Sequence, residues 1–269
     1  MKTGIKLKKL RAILEDMGSA LLAFSGGADS AFLLAAGAGV FKGRFLAVTG
    51  VSGSITKPEV AEAVSLAKRF KVEHKLVRAI PPQEFRDNPP QRCYYCKKAL
   101  FGKLKKLAGD RKINWVIDAA NADDSADYRP GTKAVKELGV RSPLKEAGLT
   151  KREIRAVSRR MGIEVWNKPA AACLASRIPY GEKITPEKLR MVAQAEEFLR
   201  KSGFAQVRVR LHGNVGRVEV EPGKMISAVK MAGKISRKLR SLGIAYSCVD
   251  LEGYRCGSLN EVLGWKKKK

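Results

Sequence analysis

Apolar residues recur with two different periods over the first two thirds of the chain, and the change of period lays out helices and strands in turn. Leu7, Leu10, Ile13, Leu14 and Met17 fall on one face of a helix over 7–17. Ala20 to Phe24 is a short continuous apolar run, the pattern of a strand buried on both faces. A Gly-rich turn follows, then a helix starting near Ser30 with AFLLAAGAGV, and Phe45–Val48 reads as a second strand. Pro58 opens another helix, with Val60, Ala63, Ala67 and Phe70 on one side. Strands are expected at Val72–Val77 and Trp115–Ala119, with helices near 95–107 and 150–161. Strands separated by helices in this order predict an α/β fold, a parallel sheet with helices on both faces.

The pattern changes after Pro179-Tyr180-Gly181. Thr185 followed by Pro186 and Glu187 is a capped helix start, and the helix should run to about Ser202. An alternating strand over Gln206–Leu211, a turn at Gly213-Asn214 and a strand over Arg217–Val220 come next. A helix over Lys224–Leu242 and a strand over Ala245–Val249 complete a small α+β unit. The expected division is therefore 1–180 and 181–269, with no internal repeat.

Composition narrows the class. Of 269 residues, 45% are apolar and 29% charged, enough for a folded core and against wholesale disorder. No apolar stretch is long enough to cross a bilayer, and the opening MKTGIKLKKLRAIL reads as an amphipathic helix rather than a signal peptide, so a cytoplasmic location is expected. Lys and Arg total 53 against 26 Asp and Glu, a formal net charge of +27. That excess points to an anionic partner, nucleotide phosphates, nucleic acid or an acidic membrane, or else to a generally basic surface. Five cysteines without a secretion signal argue against a disulfide framework.

The most specific local signal is Ser25-Gly26-Gly27-Ala28-Asp29-Ser30, set between a buried strand and a helix. Paired glycines permit a tight turn that gathers backbone N–H groups on one point. The helix start adds partial positive charge, so the segment suits a phosphate or pyrophosphate. Ser25 and Ser30 add hydroxyls, and Asp29 is placed to help hold a magnesium ion that carries a triphosphate. No lysine follows the glycines, so this is not a Walker-type loop. The bland alternative is an ordinary strand-to-helix turn.

Other residues carry weaker signals. Cys93 and Cys96, joined by a distant third cysteine, suit an iron–sulfur cluster with three protein ligands; a zinc site and two unligated thiols are the alternatives. Arg208 and Arg210 alternate on a strand and so share a face, where guanidinium forks suit phosphate or carboxylate. Asp123 and Asp124 with Arg129 follow a buried strand, where they serve Mg²⁺ and ATP or merely cap the next helix. His74 and His212 have no partner for a nucleophile–base set, Trp115 and Trp166 are expected in the core, and Cys248 and Cys256 are expected to be structural.

The loop resembles that of the PP-loop ATPases, which cleave ATP between the α and β phosphates. Further blocks, RCYYCKKALF (92–101), NADDSADYRPGTKA (121–134), VRSPLKEAGLTKREIR (140–155), CLASRIPYGEKIT (173–185), VRVRLHGNVGRVEV (207–220) and DLEGYRCGSLNE (250–261), resemble the LarE family in order over nearly the whole chain. The resemblance implies ATP- and Mg²⁺-dependent adenylation of a carboxylate on a pyridinium dicarboxylate mononucleotide, then replacement by a thiocarboxylate for the nickel-pincer nucleotide. It places Cys173 at the sulfur-donor position, with Arg177 near enough to favour its thiolate, and Arg208, Arg210 and Glu196 among substrate-binding residues. Members with a cysteine pair at 93 and 96 resemble a branch that depends on a 4Fe-4S cluster, with Cys173 as the third ligand and cluster sulfide as the transferred sulfur. A homo-oligomer is expected, with the small α+β unit supplying its contacts. A tRNA-thiolating PP-loop enzyme is the competing reading, since it would share the loop, the cysteines and the basic charge.

Overall fold

The alternation expected from the sequence is realised from the first element onward. The computed structural model describes residues 2–126, 130–169, 172–255 and 257–264. It divides into two compact units, Met1–Phe85 with Gln91–Ala171, and Arg86–Pro90 with Ala172–Lys269. In the first, α1 (Thr3–Met17), β1 (Ala20–Ala23), α2 (Ala28–Ala38), β2 (Phe45–Val51), α3 (Lys57–Arg69) and β3 (Glu73–Arg78) follow one another. A single turn, α4 (Gln83–Arg86), precedes α5 (Arg92–Asp110) and β4 (Trp115–Ile117), and α6 (Gly131–Glu137), α7 (Pro143–Glu146) and α8 (Lys151–Arg160) complete the set.

The four strands are parallel in the order β3-β2-β1-β4. β1 is buried on both sides because its side chains alternate between two cores. Ala20 and Leu22 join Leu10, Leu14, Phe32, Leu33 and Ile154 on one face. Leu21 joins Leu46, Val48, Phe101, Leu104 and Val116 on the other. Each fully buried Leu or Phe contributes about 1.5–3 kcal/mol relative to exposure. The chain runs outward from β1 through β2 to β3, while β4 lies on β1's opposite side, so a topological switch point falls between β1 and β4.

Sequence and structure differ at the edges of this unit. α5 begins at Arg92, so both Cys93 and Cys96 lie in its first turns. Trp115 is 37% exposed with the Arg141 guanidinium 5.1 Å from its ring, and Trp166 is half-buried under Arg159. The expected core placement of Trp115 is therefore wrong: as the first residue of a strand that borders the sheet, it is covered by an arginine instead of a helix.

In the second unit, α9 (Pro186–Lys201) is capped by Thr185, whose hydroxyl accepts from Lys188 N. β5 (Val207–His212) pairs antiparallel with β6 (Val215–Val220), and β7 (Tyr246–Val249) joins β6 in parallel. The expected helix over 224–242 is broken at Met231 into α10 (Met225–Lys230) and α11 (Ala232–Ser241). Met231 N bonds both Ser227 O and Ala228 O, which tightens the last turn of α10 and ends it. The segment 86–90 belongs here because Asn88 Nδ2 donates to Pro179 O and Glu182 O while Ile184 N donates to Arg86 O. Val207, Val209, Leu211, Val218 and Val220 form the sheet's buried apolar face, and the alternate residues give the other face its charge.

Candidate active site

The glycine-rich loop leaves the C-terminal end of β1, the end at which open α/β sheets bind ligands. Gly26 has φ +70°, which strains any residue with a Cβ, and a Cβ there would crowd Ala63 Cβ of α3 at 3.3 Å, so glycine is favoured on two counts. Gly27 caps α2 in an extended conformation. Ser30 Oγ donates to Gly27 O at 3.0 Å, which obliges Ser25 Oγ to donate across the 3.0 Å contact to Ser30 Oγ. Gly27 N in turn donates to Ser25 Oγ. The serines thus brace the bend, while the first N–H groups of α2 lack intrahelical acceptors. This combination suits a phosphate chain.

Asp29, on the first turn of α2, meets the segment after β4. Asn121 Nδ2 donates to Asp29 Oδ2 at 3.0 Å, and Asp29 Oδ1 is buried without a hydrogen-bond partner among the described residues. Burial pushes the Asp29 carboxyl above the usual aspartate range, against the lowering effect of the Asn121 bond. A buried carboxylate oxygen with no donor is what a divalent cation offsets, and Mg²⁺ is commonly held by one or two carboxylates plus substrate phosphates. The residues therefore fit Mg²⁺ carried with a nucleotide. Asp123 and Asp124 brace the same segment: Asp123 Oδ2 accepts from Lys151 N and Asp124 Oδ2 from Asn121 N. Arg129 lies outside the described residues. His74 Nε2 contacts Thr49 Oγ1 at 2.9 Å, and Thr49 Oγ1 donates to Phe24 O, so the histidine supports the strand that feeds the loop.

The charged face of the second unit is built from buried arginines. Arg177 holds Glu196 with two bonds, 2.7 and 3.0 Å, and its remaining Nη1 donates to Ala172 O, Cys173 O and Ser176 Oγ. The guanidinium thus grips the backbone around Cys173, whose side chain is exposed. Glu196 also accepts from Arg200 and Val209 N. Arg210 holds Glu219 with two bonds, 2.6 and 3.0 Å, and donates to Ser176 O and Ser258 Oγ. Arg208 differs. It is 8% exposed, lies 5.1 Å from the Tyr254 ring and donates to Val207 O, but makes no ion pair among the described residues. Burial, then the neighbouring Arg177, pulls its pKa down, the mark of a cation short of negative charge.

Glu219, Ser258 and Asn121 were not among the residues singled out from the sequence. Glu219 was within reach, because a hairpin turning at Gly213-Asn214 sets Arg208 opposite Glu219. Cys93 and Cys96, three residues apart on α5, belong to the first unit and Cys173 to the second. Among the described residues, no three His, Cys, Asp or Glu side chains gather as a metal-ligand group. Cys256 lies outside the described residues, and Cys248 is exposed on β7.

The sequence matches no family model. It is 34% identical over 261 residues, 96% of this chain and 95% of the relative, to the pyridinium-3,5-bisthiocarboxylic acid mononucleotide synthase of Lactiplantibacillus plantarum. The chain belongs to the LarE family. An uncharacterized protein of Synechocystis is 41% identical over 262 residues, covering 96% of this chain and 98% of its own. One from Methanocaldococcus jannaschii is 28% identical over 253 residues, 93% and 97% of the two chains. The likeness to LarE covers both compact units, so the small α+β unit is part of the LarE chain and not an appended module. The parallel sheet flanked by helices agrees with a PP-loop domain. No described helix is long and apolar enough to cross a membrane.

Proposed function

We propose that this LarE-family enzyme is an ATP-dependent sulfur transferase that converts a carboxylate of a pyridinium dicarboxylate mononucleotide into a thiocarboxylate, toward the nickel-pincer nucleotide. The likeness to the Lactiplantibacillus synthase over nearly the whole chain carries this reading. Within it, the loop at Ser25–Ser30 holds the triphosphate and the N-terminus of α2 favours the departing pyrophosphate. Asp29 would hold Mg²⁺, which when bound would supply screening of the phosphate oxygens and polarisation of the α-phosphorus. The substrate carboxylate attacks that phosphorus, pyrophosphate leaves, and an acyl-adenylate results.

Substrate recognition falls to the arginine face, where Arg208 takes the anion and Arg210 and Glu196 frame it. The buried Arg208 without a carboxylate partner supports this assignment. The Cys173 thiolate then attacks the acyl carbon, AMP leaves, and a thioester joins substrate to protein. Loss of the Cys173 α-proton with cleavage of its Cβ–S bond releases the thiocarboxylate and leaves dehydroalanine, so each chain acts once. Arg177 holds the backbone around the thiol during these steps. The pair Cys93 and Cys96 in the first turns of α5 supports the alternative to that sacrifice, in which Cys93, Cys96 and Cys173 would be ligands of a 4Fe-4S cluster and a replaceable sulfide would take the place of the Cys173 sulfur. The enzyme works in the cytoplasm, where thiols stay reduced. It self-associates through the second unit, where Ile226, Val229 and Tyr246 are exposed by 73%, 61% and 69%.

The test is incubation with ATP, Mg²⁺ and the pyridinium dicarboxylate mononucleotide. AMP and pyrophosphate are expected in equal amounts, and their joint absence overturns the reading. Cys173→Ala should still release pyrophosphate and form the acyl-adenylate but yield no thiocarboxylate. Anaerobic purification with iron assay, then intact-mass measurement after turnover, separates the sulfur sources: iron and visible absorption mark the cluster, and conversion of Cys173 to dehydroalanine marks sacrifice of the thiol.

A further inference from the structure

Asn121 is 1% exposed and sits just beyond β4, across the switch point from the phosphate loop. Each of its polar groups is committed. Nδ2 donates to Asp29 Oδ2, Oδ1 accepts from Asp123 N at 3.0 Å, and the backbone N donates to Asp124 Oδ2 at 3.1 Å. The bond from Asp123 N requires oxygen at that end of the amide, so the amide cannot be turned over and its NH₂ must face Asp29. The segment is itself pinned to the start of α8, since Lys151 N donates to Asp123 Oδ2 and Ala122 N to Leu149 O. One carboxylate oxygen of Asp29 is thereby fixed by a rigid donor, and the other, Oδ1, is buried without a hydrogen-bond partner among the described residues.

We infer that Asn121 is the positioning residue that presents Asp29 Oδ1 to the divalent cation bound with the nucleotide. The inference rests on the reading of the loop as an ATP·Mg²⁺ site. The choice of an amide has a physical reason. A lysine or arginine here would neutralise Asp29 and repel the cation, and a carboxylate would repel Asp29 whenever the metal is absent. A neutral donor fixes the carboxylate's rotation and leaves its charge available.

Mn²⁺ in place of Mg²⁺, titrated by electron paramagnetic resonance with the non-cleavable analogue α,β-methylene ATP, tests this without any turnover. Asn121→Ala should weaken Mn²⁺ retention about tenfold. Asp29→Asn should weaken it at least as much, and the double variant no further than Asp29→Asn alone. Binding of the analogue in EDTA should stay within twofold of the unaltered protein for Asn121→Ala. Unchanged Mn²⁺ affinity in Asn121→Ala, or equal loss of metal-free analogue binding, overturns the inference. Unchanged affinity in Asp29→Asn overturns it as well. If Asn121→Ala fails to fold, Asn121→Ser carries the same comparison. Because Mn²⁺ retention is read directly, a protein that forms no AMP but shows the tenfold loss would refute the proposed activity and leave the Asn121 assignment standing.

Discussion

In the first unit the groups proposed to face an anion are backbone amides and hydroxyls at the end of a strand, with a carboxylate of which one oxygen has no donor among the described residues. In the second they are guanidinium ions with side-chain exposures of only a few per cent, most of them locked to carboxylates before any substrate arrives. A loop of amides recognises phosphate through conformation, and its cost is the restriction of Gly26 and Gly27 to one bend. A buried arginine face would recognise anions through charge, and its cost is desolvation, which bidentate pairing with Glu196 and Glu219 offsets for Arg177 and Arg210, whereas Arg208 makes no ion pair among the described residues. The first kind of site tolerates an empty state easily. The second stores an imbalance that an anion relieves.

The sharpest way to break this comparison is to remove a matched carboxylate. Glu219 is fully buried and serves Arg210, Arg217 and Ser258. Glu219→Ala should lower stability by about 3–5 kcal/mol, because two guanidinium ions lose their shared counter-charge. Urea unfolding followed by circular dichroism measures it. The joint change Glu219→Met with Arg210→Met should cost clearly less than Glu219→Ala alone, and a loss no larger than that of an exposed pair would show that the face is wetter than its burial implies.

The unmatched arginine predicts the opposite sign. Arg208→Met removes a buried charge that makes no ion pair among the described residues, so in phosphate-free buffer the variant should be more stable by about 1–2 kcal/mol. Inorganic phosphate should then separate the two proteins. At a hundredfold excess over its Kd it should stabilise the unaltered protein by about 2.7 kcal/mol and leave Arg208→Met unmoved. Thermal melts with and without phosphate decide it, and an equal response in both proteins would place the anion elsewhere.

How much of this was legible in the sequence follows from the range of each interaction. The bend at Ser25–Ser30 was readable because Ser25, Gly26, Gly27 and Ser30 act on one another within a few residues. The shared face of Arg208 and Arg210 was readable because strand alternation is local. Asn121 was not, since it meets Asp29 across 92 positions and only the adjacency of β1 and β4 joins them. The break at Met231 and the exposure of Trp115 were missed for a related reason: apolar residues mark what could be buried, and tertiary packing decides what is. The membership of 86–90 in the second unit depends on Asn88, whose backbone is left-handed (φ 59°) and whose amide ties it to residues some 90 positions away.

A third kind of charge, matched but near water, completes the comparison and has the smallest expected effect. Glu153 caps α8 with Thr150 and also accepts from Thr3 Oγ1 and Lys6 Nζ of α1, at 3.1 and 2.7 Å. The Lys6 bond, then the Thr150 backbone N–H, lower its pKa to about 2. A carboxyl whose folded pKa lies below its unfolded value contributes stability that is complete above the unfolded pKa, near 4.5, and lost as pH falls toward 2. Lys6→Met removes the largest cause, so the unaltered protein and the variant should differ by about 0.5–1 kcal/mol at pH 7 and converge as pH falls through about 2. Acid titration followed by circular dichroism reads this directly. Added salt should shrink the difference at pH 7, whereas the Glu219→Ala loss should barely respond, because a Debye screen reaches Lys6 and not the buried arginine face.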